Sequence, residues 1–274
     1  MIMNKQTFIN ISNVNIGYAR SAGSFNHVIK DLNLTLKIGE SVSILGISGI
    51  GKSTLLHSIC HFIPIESGSI EFFPGISKEP RISIVFQEST LFPWLTVEEN
   101  IIYGDWIRQN PDKIDMANKL LADFRIPNTN KLYPKQLSGG MKQRVDIARA
   151  IANKPDILIL DEPFGHLDYQ NRLQSESYLL KVIREQEIAT LLVTHNVEEA
   201  LYLSDYIYIL GGKPATITKE IFVTNTKWGS DDEKRFNEEF MQLKKTIEDT
   251  LLKEFSKYTE LKNYLNDKED IKNK

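Results

Sequence analysis

Residues 41–63 read "SVSILGISGIGKSTLLHSICHFI" and divide into an apolar run, a glycine-rich turn and a helical stretch. The run at residues 41–45 is rich in β-forming residues and predicts a short buried strand. The turn at residues 46–54 follows the pattern G-x-x-x-x-G-K-[ST], and a helix-forming segment comes directly after it. A strand, this turn and a helix in that order predict an α/β fold built around a phosphate-binding loop.

The glycine-rich turn contains the residue types that a triphosphate site requires. Its glycines let backbone amides point at phosphate oxygens, and the helix N-terminus adds partial positive charge. Lys52 can reach the β- and γ-phosphates, while the Ser53 hydroxyl can bind Mg²⁺. The turn therefore predicts a nucleoside triphosphate site. Its predicted contacts are Gly46, Ile47, Ser48, Gly49, Ile50, Gly51, Lys52, Ser53 and Thr54.

A second set of candidate residues follows the apolar run "ILIL" at residues 157–160. The run predicts a buried strand whose end delivers Asp161 to the phosphate side of the sheet, where its carboxylate can hold Mg²⁺. Alternation along the strand would turn the next residue, Glu162, to the other face, where it could polarise an attacking water. The alternative is that both acids are simply solvated.

The rest of the chain predicts strands and helices around a helical insertion. The N-terminal third is β-rich outside the helix that follows the loop, and residues 156–210 alternate strands with helices, which predicts a parallel sheet. Residues 88–152 are helical in period, and Thr96 with Glu99 forms a capping-box pattern at one helix start. We therefore expect one domain over residues 1–222 with an inserted helical section.

A separate segment, residues 223–274, predicts an amphipathic helical extension. Apolar residues recur in it every three or four positions, which places them on one helix face. This face either docks on the main domain or serves as a regulatory or partner-binding surface, and the sequence leaves both alternatives open. The apolar stripe consists of Phe236, Phe240, Leu243, Ile247, Leu251 and Phe255.

The sequence "LSGGMKQR" at residues 137–144 resembles the signature sequence of the ATP-binding cassette (ABC) family. A helix start at Ser138, Gly139 and Gly140 offers a second anion site, although a serine-capped helix without a ligand would account for Ser138 alone. In this family two copies pack head to tail, and each signature closes over the nucleotide of the other. The resemblance implies that the ligand is ATP with Mg²⁺ and that one partner is a second copy of the chain.

The resemblance covers most of the chain and implies roles for further residues. It implies that Tyr18 stacks on adenine and that Gln87 contacts Mg²⁺ and the attacking water. It also implies that Asp168, in "FGHLD", crosses the dimer interface and that His195, in "LLVTHN", contacts the γ-phosphate. Together with Glu162, Gln87 and His195 make up the predicted catalytic set.

The fold that the resemblance implies is a P-loop NTPase core with an antiparallel β subdomain and an inserted α-helical subdomain. Three positions depart from the family pattern: Met141 stands where Gln is common, His166 where small residues are common, and Asn196 where Asp is usual. None of the three removes a group needed for hydrolysis, so we expect an active ATPase.

Several classes within the family are excluded by the sequence. Lys52 and Ser138 are too close for the long coiled coils of chromosome-type ABC ATPases, and the chain has one cassette without fused membrane helices. What remains is the separate subunit of a bacterial importer. Residues 85–101, "VFQESTLFPWLTVEENI", are similar to the nitrate/sulfonate/taurine subfamily, which includes transporters of thiamine-precursor pyrimidines. The implied partners are multispanning membrane permease subunits and, indirectly, a substrate-binding protein.

An apolar cluster at residues 91–95, with a proline in its middle, follows closely after Gln87. Exposed apolar clusters usually mark interfaces. In the ABC family this position lines the groove that receives a short cytoplasmic helix of the membrane subunit. The alternative is that Phe92 and Trp94 fill the seam between the core and the helical section.

Composition limits the location and the partners of the chain. The net charge of −3 provides no basic field for nucleic acid, and no apolar run is long enough to span a membrane. The N-terminus lacks an apolar signal-peptide region, and the single cysteine, Cys60, fits a reducing cytosol. We therefore expect a peripheral protein at the cytoplasmic face of the cell membrane, without a nucleic-acid partner.

Two alternative functions and one alternative site stay open at this point. The chain could be a soluble ABC ATPase that remodels a non-transport complex, or a nucleotide-gated binding module without turnover. His57, Cys60 and His61 share one helix face at spacings of three and four, which could bind a metal.

Overall fold

The structure is a computed structural model that describes residues 6–19, 25–72, 80–104, 109–223 and 237–272, and side chains in the last stretch as far as residue 259. The strands are β1 (Thr7–Ala19), β2 (Phe25–Lys37), β3 (Ser41–Leu45), β4 (Ser67–Phe72), β5 (Ile82–Val85), β6 (Ile157–Asp161), β7 (Ala189–Thr194), β8 (Tyr206–Gly211) and β9 (Thr216–Phe222). The helices are α1 (Lys52–Ile59), α2 (Val97–Ile101), α3 (Lys113–Asp123), α4 (Gly139–Ala152), α5 (Tyr169–Glu185), α6 (Val197–Leu203) and α7 (Glu238–Lys272).

The chain forms two compact units, and each draws on several stretches of the sequence. The predicted helical section at residues 88–152 lies in the first unit, where α2 and α3 both pack against α4. Within the described ranges, no helix combines the length and the apolarity needed to cross a membrane. The first unit consists of Met1–Phe8, Leu36–Ser41 and Phe72–Leu192, and the second of Ile9–Thr35, Val42–Glu71 and Val193–Lys274.

The strands of the first unit lie in the order β5-β6-β7. β5 and β6 are parallel, with Ile82 opposite Ile157 and Val85 opposite Leu160. Every residue of β6 and β7 is buried, which explains why both strands read as largely apolar runs rather than alternating ones. The predicted α/β fold with a parallel sheet is confirmed.

The second unit contains most of a three-stranded sheet with the order β2-β1-β4, and a further group of strands with the order β3-β8-β9. β3 is parallel to β8, whereas β9 is antiparallel to β8. The sequence patterns did not predict β9. Ile221 is the one buried residue of this strand, so β9 lacks the apolar pattern by which strands are recognised.

The C-terminal helix α7 docks on the second unit with its first half. Its apolar side chains join a core cluster that β3, α6 and β8 also line. Phe255 is 54% exposed, so the predicted stripe ends before it, and Phe236 lies outside the described residues. The docking alternative therefore holds for the described part of the stripe apart from Phe255. The side chains that join the cluster are Phe240, Leu243, Ile247 and Leu251.

Candidate functional site

The phosphate-binding loop lies in the second unit, between β3 and α1. All five residues of β3 are buried, which anchors the start of the loop. Gly49 (φ 76°) and Gly51 (φ 115°) have backbone angles that favour glycine. Gly51 is the N-cap of α1, and no described side chain caps this helix. The amides of its first turn are therefore available to an anion.

Lys52 is braced across the loop. The residue is only 7% exposed, and its Nζ donates to the carbonyl oxygens of Gly46 at 2.9 Å and Ile47 at 3.2 Å. These two bonds hold the ammonium at the start of the loop, where it adds positive charge beside the helix N-terminus. Ser53 is exposed in the first turn of α1, so its hydroxyl can meet a ligand from solvent.

The remaining predicted contacts of the loop differ in which atoms they can offer. The side chain of Ile50 is buried, with 4% of the residue exposed, so only its backbone can face a phosphate. Ser48 is exposed, whereas Ile47 and Thr54 are half-buried. The loop would therefore contact a phosphate mainly through its amides, with Lys52 supplying the charge.

Tyr18 and His195 also belong to the second unit. Tyr18 lies on β1 and is 49% exposed, as a ring that stacks on a base must be. His195 is exposed directly after the buried strand β7. The next residue, Asn196, caps α6 because its Oδ1 accepts from the amides of Glu198 at 3.0 Å and Glu199 at 3.3 Å. Since Asn and Asp cap helices about equally well, the departure from Asp at this position keeps the cap.

The two acids at the end of β6 belong to the first unit. Asp161 is the last residue of the strand and only 6% exposed, so the solvated alternative is wrong for Asp161. Glu162 is half-buried and has φ 47°, in the left-handed region. Such a backbone costs a non-glycine residue on the order of 1–3 kcal/mol. The direction of Glu162 is therefore set by this sharp turn, and the prediction that strand alternation would set it is wrong.

The signature residues form the start of α4 in the first unit. Ser138 is the N-cap, and its Oγ accepts from the amide of Met141 at 3.3 Å. As an acceptor here, the hydroxyl keeps its proton for donation to another group. Gly140 packs closely on the following loop, because a Cβ at this position would lie 2.8 Å from Cδ2 of Leu167. Ser138 and Gly139 themselves are exposed.

Asp168 begins α5 and lies near the signature helix through shared partners. Its Oδ1 accepts from the amide of Asn171 at 3.0 Å, and this bond lowers the pKa of the Asp168 carboxyl below its ordinary value. Arg144 of α4 donates to Oδ1 of Asn171 at 3.2 Å and to the carbonyl oxygen of Phe124 at 3.2 Å. His166 is exposed. It does not crowd Gly139, because a Cβ added at Gly139 would lie 4.0 Å from the Cβ of His166, which is an ordinary van der Waals distance.

Gln87 is exposed and lies two residues after the end of β5. Sequence reasoning missed three residues of α4 that hold the loop around it, and these are Gln143, Asp146 and Arg149. Gln143 is buried, and its Nε2 donates to the carbonyl oxygen of Phe86 at 3.3 Å. The signal that could have found them is their spacing, since these three polar residues recur every three positions along α4 and therefore lie on one side of the helix.

An exposed aromatic patch follows the Gln87 loop, and we define it as Phe92, Trp94 and Tyr103. The ring centroid of Phe92 lies 5.4 Å from that of Trp94 and 4.6 Å from that of Tyr103. Trp94 is 69% exposed and Tyr103 is 48% exposed, so the alternative that Trp94 fills an internal seam is wrong. Leu91, at 8% exposed, is the member of the apolar cluster that anchors it.

The backbone that carries this patch is held by Asn100, which is completely buried. Its Oδ1 accepts from the amide of Phe92 at 2.8 Å, and its Nδ2 donates to the carbonyl oxygens of Phe92, Leu95 and Thr96. The predicted capping box of Thr96 and Glu99 is present at the start of α2. The patch is therefore displayed on a loop with a defined shape.

The structure does not favour the metal site that the spacing of His57, Cys60 and His61 suggested. Helix α1 ends at Ile59, and His61 has φ 59°, so the three side chains do not share a helix face. Burial raises the pKa of the Cys60 thiol to about 11, which keeps it protonated at neutral pH. Among the described residues, no three or more His, Cys, Asp or Glu side chains are grouped to hold a metal ion.

The predicted Mg²⁺ ligands differ in kind from that set. Ser53, Gln87 and Asp161 offer a hydroxyl, an amide carbonyl and a carboxylate. These are hard oxygen donors, which Mg²⁺ prefers, and it commonly takes few protein ligands beside phosphate oxygens and water. The donor set therefore fits Mg²⁺ bound together with a nucleotide.

Comparison with known proteins places these residues in a family. A family model described as "ABC transporter" matches residues 29–165. An aliphatic sulfonates import ATP-binding protein of Pseudomonas syringae is 43% identical over 202 residues, which is 74% of this chain and 84% of that protein. A taurine import ATP-binding protein of Pelagibacter ubique is 37% identical over 228 residues, 81% of this chain and 86% of that protein.

Further matches agree with these two. A nitrate import ATP-binding protein of Synechocystis is 37% identical over 203 residues, 71% of this chain and 75% of that protein. A dimeric ATP-binding cassette solved in a post-hydrolysis state with ADP and Pi has a TM-score of 0.68 and 29% identity, and covers 78% of this chain and 98% of that one. With the loop, the strand-end acids and the signature helix all present, the chain belongs to the ABC transporter family, as an ATP-hydrolysing subunit of the import type.

Proposed function

We propose that the chain hydrolyses Mg²⁺-bound ATP at the cytoplasmic face of the cell membrane to drive uptake of a small molecule through separate membrane subunits. The observation that carries the proposal is the uncapped start of α1 beside the braced ammonium of Lys52. An open helix N-terminus next to a buried cation is suited to a triphosphate. The names of the import relatives support the transport part of the proposal.

Nucleotide binding would use groups with distinct tasks. The exposed ring of Tyr18 stacks on adenine, which gives affinity with little base selectivity. The amides from Gly46 to Thr54 bind the phosphates, and Lys52 neutralises charge on the β- and γ-phosphates. Ser53, Gln87 and Asp161 would hold Mg²⁺, which supplies charge neutralisation at the phosphate oxygens.

Hydrolysis would depend on three further side chains. Glu162 accepts the proton of the attacking water, Gln87 orients that water, and His195 contacts the γ-phosphate. The strained turn at Glu162 supports a functional role, because strain of this kind tends to persist where mechanism needs it. Most of the rate enhancement would come from positioning and charge stabilisation, as is general for phosphoryl transfer.

A second copy of the chain would complete each nucleotide site. The amides of Gly139 and Gly140 and the hydroxyl of Ser138 would close over the nucleotide of the partner copy, with Asp168 crossing the interface. The Ser138 hydroxyl accepts from its own helix and so still has a proton to donate to a phosphate. The dimeric cassette among the solved relatives supports this assembly.

The membrane partners would be multispanning permease subunits that dock on the aromatic patch. A substrate-binding protein would act through those subunits, without touching this chain. Relatives named for sulfonates, nitrate and taurine support a small sulfonate or nitrate as the transported molecule. The selectivity itself would belong to the other subunits.

The substitution Glu162→Gln tests the catalytic assignment. It keeps the size of the side chain but removes the base, so we expect kcat for ATP hydrolysis to fall about 100- to 10,000-fold, with ATP binding retained. The variant should also accumulate as an ATP-bound dimer in size-exclusion chromatography. A matched control is Glu187→Gln, at an exposed glutamate that also has a positive φ, of 50°, and this variant should leave kcat unchanged. Hydrolysis by Glu162→Gln at the parent rate would show that Glu162 is not the base.

A further inference from the structure

Helix α4 carries three polar side chains on one face, two of them buried and the third half-buried, and we call Gln143, Asp146 and Arg149 the polar clamp. Gln143 is 1% exposed and Asp146 is 3% exposed, while the side chain of Arg149 is 17% exposed. Their spacing of three residues aligns them along the helix. Burying polar groups is unfavourable unless they are hydrogen-bonded, so their partners indicate what the face is for.

The polar clamp holds the backbone on both sides of Gln87. On the N-terminal side, Nε2 of Gln143 donates to the carbonyl oxygen of Phe86 at 3.3 Å. On the C-terminal side, Nη1 of Arg149 donates to the carbonyl oxygen of Thr90 at 2.9 Å, and Nη2 donates to its Oγ1 at 2.5 Å. Residues 87–90 are exposed between these attachments. The loop is therefore fixed at its two ends by one helix.

The ion pair within the polar clamp is better explained by the geometry that it fixes than by the stability that it adds. Nη2 of Arg149 lies 2.7 Å from Oδ1 of Asp146. Burial raises the pKa of the Asp146 carboxyl and lowers the pKa of the Arg149 guanidinium, so both charges are held away from water. A buried ion pair is often no more stabilising than apolar residues of the same volume. Its geometric specificity is the property that apolar residues would not supply.

The clamp also reaches the aromatic patch. The guanidinium carbon of Arg149 lies 5.8 Å from the ring centroid of Phe92, within cation–π distance. Phe92 in turn contacts the rings of Trp94 and Tyr103. One side chain therefore touches both the loop that presents Gln87 and the surface on which we propose that the membrane subunits dock.

We propose that the polar clamp makes the Gln87 loop, the signature helix and the aromatic patch move as one body, so that Asp146 and Arg149 are positioning residues for hydrolysis. The proposal rests on the proposed function of Gln87 and Trp94 and deepens it. A displacement at the patch would reach Gln87 through Arg149 without a flexible intermediate. Holding a reacting group in place can account for a large part of a rate, and a misplacement of about 1 Å can cost about 100-fold.

The test is a double-mutant cycle in the transport complex, with Arg149→Lys and Gln87→Ala made singly and together. Arg149→Lys keeps the charge but loses the planar fork that binds Thr90 and Asp146 at once. We expect Arg149→Lys to lower substrate-stimulated kcat about 10- to 100-fold, with the KM for ATP changed less than about twofold. In the Gln87→Ala background the same substitution should have almost no further effect, because the residue that it positions is gone.

Three results would overturn the proposal; the first two leave the proposed function intact, and the third contradicts the proposed role of Gln87. Parent-like kcat in Arg149→Lys, or an equal loss in both backgrounds, would mean that the clamp is only structural. Parent-like kcat in Gln87→Ala would remove the role of Gln87 itself. If Arg149→Lys does not fold, Gln143→Met replaces it in the cycle with the same expected pattern. Lys181→Met, which removes an exposed ion pair with Glu185 at 3.8 Å on α5, is the control and should leave kcat unchanged.

Discussion

Gly51 and Glu162 both have a positive φ, but only Glu162 is strained by it. Gly51 has φ 115°, a conformation open to glycine because it lacks a Cβ. Glu162 has φ 47° and pays for it, so the surrounding structure must hold it. The two residues directly after it, Pro163 and Phe164, are buried. At this scale, local backbone geometry decides where the phosphate-binding amides and the proposed base are presented.

Two of the three glycines of the loop, Gly49 and Gly51, provide a matched pair of substitutions. At Gly49 a Cβ would meet nothing within 4 Å. Gly49→Ala should therefore lower the free energy of unfolding by about 1–2 kcal/mol, the cost of a left-handed backbone for alanine. At Gly51 a Cβ would lie 2.7 Å from Cγ1 of Val28. Because of this clash, Gly51→Ala should lower the free energy of unfolding by about 1–3 kcal/mol more than Gly49→Ala does. Urea unfolding measures both free energies. Equal losses in the two variants would contradict the packing of Gly51 against Val28.

Helix α4 is the element that joins the parts of the first unit. Its N-cap is Ser138, its Arg144 reaches the start of α5, and its polar clamp holds the Gln87 loop. Helix α7 has a comparable role in the second unit. It packs on β8 and α6, and Lys244 forms an ion pair with Glu198 of α6 at 2.5 Å.

A pair of substitutions in α7 tests how firmly that helix is docked. Ile247 is fully buried, so Ile247→Ala should lower the free energy of unfolding by about 2–5 kcal/mol through the lost burial and the cavity left behind. Leu252 is 63% exposed on the same helix, so Leu252→Ala should change it by less than about 0.5 kcal/mol. Guanidinium unfolding distinguishes the two. Small losses in both would mean that α7 is not docked in solution.

At the scale of the whole molecule, the aromatic patch connects the chain to its proposed membrane partners. A few residues often dominate binding at interfaces, and Trp and Tyr are enriched among them. Trp94→Ala should therefore weaken binding to the permease subunits about 10- to 30-fold and lower transport, with affinity for ATP changed less than about twofold. The measurements are the fraction of chain retained on purified permease and the uptake by the reconstituted complex.

The control for Trp94→Ala is another exposed aromatic residue outside the patch. Phe222 of β9 is 57% exposed and belongs to the second unit, so Phe222→Ala should leave both retention and uptake unchanged. Unfolding of the isolated Trp94→Ala chain would instead assign Trp94 a structural role. Loss of ATP binding in the Trp94→Ala variant would also contradict the docking proposal, because Trp94 would then affect the nucleotide site.

The family and the α/β fold followed from the sequence because their signals are local. Lys52, Ser53 and the glycines around them carry meaning through spacing within one turn, and so do Ser138, Gly139 and Gly140. The capping box at Thr96 likewise depends on a residue only three positions away, and it is present in the structure. Such patterns need no knowledge of which distant residues meet.

Other features depended on which residues meet across the fold, and only the tertiary structure decided them. Strand β9 forms because β8 offers it a pairing edge, although Ile221 is its one buried residue. Phe255 continues the periodic stripe but stays exposed, because burial requires a facing surface as well as the right spacing. The direction of Glu162 is set by its left-handed backbone conformation. Gln143 and Arg149 of the polar clamp donate to carbonyl oxygens of residues more than fifty positions away in the sequence. Spacing along the chain determined what this protein binds, and long-range packing decided how its binding residues are held.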